Sequence, residues 1–117
     1  MPGFESDTFN YDNLLAGGDF TVLEIGTIDE TVEVKRGTVL GRVSATNTFK
    51  ICKDANADGS NIPVAILAED LPAGETNKDK YIYLAGNFTA EKVIFDAGVA
   101  NKNKAKIELH GNSIFLR

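Results

Sequence analysis

Several clusters in this chain have the residue types that chemistry needs. Asp54-Ala55-Asn56-Ala57-Asp58-Gly59 matches the opening half of a calcium-binding EF-hand loop, D-x-N-x-D-G. The twelfth loop position is Ala65 where a bidentate Glu is required, and the flanking segments have strand character. Asp, Asn and Gly are also what a tight polar turn demands, since they tolerate left-handed backbone and bond their own main chain. The turn reading is preferred. Cys52 sits between Lys50 and Lys53, a setting that lowers a thiol pKa, although strand alternation equally makes it a small packing residue. His110, the single histidine, has no Ser or Cys near it in sequence. Glu69-Asp70 follows an apolar run, where paired acids mark the return to solvent more often than acid–base work. Gly86-Asn87-Phe88 reads as a turn and not as a phosphate cradle. No catalytic set assembles, and the expectation is a protein that is not an enzyme and has no cofactor or metal.

The elements that would position these residues are short strands. Phe20–Gly26 (FTVLEIG) and Thr31–Lys35 (TVEVK) flank residues 27–30 as a plausible hairpin. Val39–Ser44 and Thr48–Lys53 follow, separated by Ala45-Thr46-Asn47. In the second of these, Phe49 and Ile51 share a face opposite Lys50 and Cys52. Val64–Ala68 (VAILA) is continuously apolar, as expected of a strand covered on both faces. Tyr81–Ala85 (YIYLA) places Tyr81 and Tyr83 on one side, Ile82 and Leu84 on the other. Such spacing indicates a β-barrel or β-sandwich. Local pattern slightly favours a strand over Lys104–His110. The alternative is a short helix over Ala100–His110, with Gly111 as its C′ residue. The turn at Val34–Gly41 resembles the hairpins of lipoyl- or biotin-carrier domains. Those need a modifiable lysine on a symmetric second hairpin, and no matching half surrounds Glu75–Lys80.

Residues 1–19 differ from the rest. They carry Phe4, Phe9, Tyr11, Leu14 and Leu15 without helical or strand period, and Gly17-Gly18-Asp19 closes the segment. Such a stretch cannot build a core, but its spaced apolar groups can anchor it on a partner. The chain thus divides into an extended arm, 1–19, and a β-rich domain, 20–117.

Composition bounds the rest. With 117 residues the chain is one domain, and at 43% hydrophobic and 25% charged it is ordinary for a globular protein. No run approaches the roughly 20 apolar residues that cross a bilayer, and the acidic start does not resemble a secretory signal. Eight acids and no Lys or Arg occupy residues 1–34, while the remainder carries nine acids and twelve bases. A leading segment of that sign repels phosphate backbones, so neither nucleic acid nor membrane is expected as a partner.

The order of segments carries a resemblance. Arg36-Gly37-Thr38-Val39-Leu40-Gly41 precedes the Phe49 strand. The Asp58-Gly59-Ser60 turn leads into Val64-Ala65-Ile66-Leu67-Ala68-Glu69-Asp70. Tyr81-Ile82-Tyr83-Leu84-Ala85-Gly86-Asn87-Phe88, Glu91-Lys92-Val93-Ile94-Phe95 and Gly111-Asn112-Ser113-Ile114-Phe115-Leu116 complete the series. Over residues 36–117 this resembles the lambda-like head decoration proteins of tailed bacteriophages, which stabilise the capsid. The resemblance implies a mainly β (α+β) fold, a small β-barrel or β-tulip-like domain with one short C-terminal helix before the last strand. It also implies a homotrimer on local three-fold sites of the expanded capsid's outer surface, cementing the shell against internal DNA pressure. In this picture the arm is loose when free and adds to a sheet of the major capsid protein, with Phe4, Phe9, Tyr11, Leu14 and Leu15 as its docking groups. The protein would reside in the virion, and in the host cytoplasm during assembly. The competing expectation is a calcium- or glycan-binding β-module of a phage tail or secreted assembly, supported by the half EF-hand and the three tyrosines.

Overall fold

A computed structural model of the chain describes residues 21–116. The arm, with Phe4, Phe9, Tyr11, Leu14 and Leu15, lies outside the described residues. Among the described residues six strands and one α-helix, with a 3-10 turn at Ala90–Lys92 before the helix, follow in order: β1 Thr21–Ile28, β2 Val39–Arg42, β3 Phe49–Ile51, β4 Pro63–Leu67, β5 Lys78–Phe88, α1 Lys102–Gly111 and β6 Ile114–Leu116. The sheet runs β1-β3-β2-β4-β5, and β5 returns to pair with β1, closing a five-stranded barrel. β6 adds in parallel to the far end of β5, Gly86 beside Ile114. The mainly β fold with a C-terminal helix is the one anticipated.

Alternation along the strands makes two cores. Ile28, Leu40, Ile51, Leu67 and Ile82 fill the barrel with Phe49 and Leu71. Val39, Cys52, Ile66 and Tyr83 point out of the wall and pack with Phe88, Leu109 and Ile114 beneath the helix. Sequence neighbours such as Ile66 and Leu67 therefore serve opposite sides of one strand, as the VAILA run predicts. Each fully buried Ile or Leu contributes about 1.5–3 kcal/mol by leaving water.

The hairpin expected over residues 27–30 does not form. β1 continues to Ile28, which pairs in parallel with Phe49, and the main chain of Asp29 donates to the Phe49 carbonyl at 2.8 Å. Glu30 accepts from the Ile51 N–H at 2.9 Å. Instead of a strand over 31–35 there is a loop tied by reciprocal Val34–Leu71 main-chain bonds of 2.9 and 2.7 Å. Non-local partners thus outcompete the local turn.

Two glycines are required by geometry. A Cβ on Gly41 would lie 2.1 Å from the Ser60 carbonyl oxygen, so the turn before β4 rests directly on β2. Gly86, expected in a turn, lies inside β5 with φ +146°, where the strand pairs both with the start of β1 and with β6.

The C-terminal ambiguity resolves to helix. Asn101 caps it, its side-chain oxygen accepting from the Lys104 N–H at 3.0 Å. Ala105 and Leu109, four apart, face the outer core, an arrangement that also satisfies alternation. Gly111 is the last helical residue and not the C′ position; the left-handed residue is Ser113, at φ +65°.

Candidate functional site

The residues with chemical potential are each committed to structure. Asp54 accepts from the Ala100 N–H at 2.9 Å, tying its loop to the segment before α1. Asn56 donates to the Ile51 carbonyl and to Ser60 Oγ, at 3.2 and 2.9 Å. Asp58 accepts from both the hydroxyl and the N–H of Ser60, and these bonds hold its carboxyl below the usual range. The loop is a self-bonded turn, as its residue types predicted.

Cys52 lies at the floor of a cleft of about 250 Å³ between the start of β4 and the first turns of α1. Its walls include Asp54, Pro63, Asn101, Lys104 and Glu108. The expectation that lysines lower its pKa is overturned. Burial pushes the thiol up to about 11, with Asp54 and Glu108 adding to the effect, and Sγ donates to the Asn61 carbonyl at 3.5 Å. Such a thiol stays protonated and packs as a small apolar group. His110 meets Phe115 edge to face, with centroids 4.6 Å apart. Glu69 accepts from the Tyr81 N–H and Asp70 from the Arg36 N–H, at 2.8 and 2.7 Å. Both acids fasten loops to the barrel. Lys78 and Lys80 are the first and third residues of strand β5 and do not sit at a hairpin tip.

What remains available is surface. Val22, Leu23 and Ile25 of β1 are exposed, and Ile25 stands directly opposite Tyr81 of β5. Beyond Ile28, β1 pairs on one side only, so residues 21–27 present a second edge without a strand beside it among the described residues. Phe4, Phe9, Tyr11, Leu14 and Leu15 lie outside the described residues, which begin with Thr21 at the start of this strand. Leu23, Ile25 and Tyr81 were missed as surface candidates. Their two-residue spacing was visible, yet alternation alone does not reveal which face of a strand is left uncovered.

The family model described as bacteriophage lambda head decoration protein D matches residues 4–112. No curated protein matches the chain significantly. The match spans nearly the whole sequence, and the barrel with its C-terminal helix has the architecture that the resemblance implied. The chain belongs to the phage lambda head decoration protein D family, and is a structural protein of the bacteriophage capsid.

Proposed function

We propose that this protein is a cement for the expanded phage head, bound to the major capsid protein as a trimer at local three-fold sites on the outer shell. It is made and assembled in the host cytoplasm. It resists DNA pressure by adding contacts across joints between capsid subunits, and many copies repeat that gain over the shell. Residues 1–19 are the docking arm and 20–117 the domain it carries. Phe4, Phe9, Tyr11, Leu14 and Leu15 fill pockets along a strand added to the capsid sheet.

The observation that carries this reading is the extent of the family match, which begins at residue 4 and therefore includes all five arm residues. The half EF-hand that favoured a calcium module has its Asp and Asn side chains engaged by main-chain groups of Ile51, Ser60 and Ala100. A chain beginning at Gly18 tests the arm's role. It is expected to keep the melting behaviour and assembly state of the full protein. It should bind expanded shells far more weakly and fail to protect them from heat or loss of counter-ions. Equal decoration and protection by the truncated chain would show that the arm is passive.

A further inference from the structure

Asp58-Gly59 has no part in the capsid role proposed above, yet an Asp-Gly pair has a reaction of its own. The main-chain nitrogen of Gly59 attacks Asp58 Cγ. A C–N bond forms, and the hydroxyl of the carboxyl group leaves with the nitrogen's proton as water, giving a succinimide. Water then adds to the main-chain carbonyl of residue 58 and breaks its bond to the Gly59 nitrogen. The water lost is regained, and the chain now runs through Cγ as isoaspartate, one backbone atom longer. Glycine favours the ring closure because no side chain obstructs it, and Asp58 is exposed to the water that the second step consumes.

The fold restrains both the reactant and the product. One Asp58 carboxylate oxygen accepts from the Ser60 hydroxyl at 2.5 Å and from the Ser60 N–H at 3.0 Å. Ser60 is wholly buried, and its hydroxyl accepts from Asn56 Nδ2 at 2.9 Å, a nitrogen that also donates to the Ile51 carbonyl. The Asp58 main-chain carbonyl accepts from the Ser44 N–H at 2.9 Å. Attack needs a protonated carboxyl free to turn toward the Gly59 nitrogen, whereas these bonds favour the ionised group in one pose. The product has no room. Even a Cβ on Gly59 would lie 2.4 Å from Ser44 Oγ, and one on Gly41 would lie 2.1 Å from the Ser60 carbonyl oxygen. An added backbone atom at residue 58 therefore pushes Gly59 and Ser60 off β2, and with them the chain that enters β4 at Pro63.

We propose that Asp58-Gly59 is a site of spontaneous backbone modification latched by Ser60, and that isomerisation there unseats β4 from β2. The reaction proceeds from chains in which the loop has opened, so its rate follows local unfolding of this turn. Folded protein is protected for as long as the Ser60 bonds hold, and a modified chain cannot close the turn again.

The test ages the full chain in warm, mildly acidic buffer, folded and in urea, and locates isoaspartate by peptide mass spectrometry with electron-transfer fragmentation. The unfolded parent should form isoaspartate at residue 58, and the folded parent far more slowly. Folded Ser60→Ala should react on the order of tenfold faster than the folded parent, the scale set by losing a hydrogen bond to a charged group. Asp58→Asn needs no change at Ser60: its amide keeps an acceptor oxygen and closes the same ring with loss of ammonia, without protonation. That variant should still deamidate far more slowly when folded than in urea. Modified chains separated from unmodified ones should melt below the parent. Equal rates in folded and unfolded chains, for the parent or for Asp58→Asn, overturn the latch. A folded Ser60→Ala that reacts no faster than the parent overturns the role of Ser60, and modified chains that melt like the parent overturn the unseating of β4.

Discussion

The guanidinium of Arg36 lies 5.7 Å from the centre of the Tyr83 ring and donates from Nη1 to that residue's hydroxyl at 3.2 Å. The same nitrogen donates to the Ala68 carbonyl, and the Arg36 main chain donates to Asp70. One residue thereby fastens the loop after Val34 to the chain just beyond β4 and to the middle of β5. Arg36→Ala should destabilise the domain by about 1.5–3 kcal/mol, the range for hydrogen bonds to a charged group. Arg36→Lys should recover only part of this, because an ammonium cannot reproduce the planar fork. Denaturant melts of the two variants check both expectations.

Ile66 faces the outer core while its neighbour Leu67 faces the barrel, and both are fully buried. Ile66→Ala and Leu67→Ala should each cost about 2–5 kcal/mol. Thermal unfolding of either variant at the parent temperature would contradict the double-sided packing of β4.

The Cys52 thiol, raised from 9.0 to about 11 in the folded chain, couples stability to alkaline pH. Its contribution is complete below pH 9, where both states keep the proton. Between pH 9 and 11 the unfolded chain ionises first, so stability falls as pH rises. The difference in unfolding free energy between the parent and Cys52→Ala should shrink over that window. Thiol reagents should react with folded protein much more slowly than with unfolded protein at pH 8.

Titration with calcium should give no stoichiometric heat, since Asn56 and Asp58 bond Ser60 within the loop, Asp54 is held by the Ala100 N–H, and Ala65 occupies the twelfth position. Asp58 itself should titrate below an ordinary aspartate. The stability it lends is present above its unfolded pKa of 3.8 and is lost as pH falls through the lower folded value. Carboxyl NMR shifts followed down in pH would detect this.

The strands legible in the sequence were those whose alternation decides burial directly: Phe49 and Ile51, the VAILA run and the Tyr81–Ala85 segment. What escaped was set by distant partners. Nothing local signals that Ile28 will meet Phe49, or that Val34 will bond Leu71, so a hairpin looked sufficient. Gly86-Asn87 resembled a turn by residue type, yet Gly86 lies within one long strand where β1 and β6 both pair with it. The helix was hidden because Ala105 and Leu109 fit both periods, and the deciding signal was the Asn101 cap. The exposed Ile25–Tyr81 pair needed the closed barrel to show which face remained bare.

Barrel closure by β1 and β5 also sets a schedule. Thr21 must find Gly86, 65 positions later, and Ile28 must find Lys78, 50 positions later. On a ribosome adding roughly 5–20 residues per second, the first strand waits on the order of ten seconds or less for its mate. Contacts so distant along the chain also slow folding itself. During that interval Val22, Leu23, Ile25 and Ile28 are all in water, in a strand prone to pair with its own kind. The eight acids scattered through residues 1–34, with no Lys or Arg among them, give every nascent copy the same negative charge there. Mutual repulsion between such ends opposes pairing of unfinished copies before the barrel has closed.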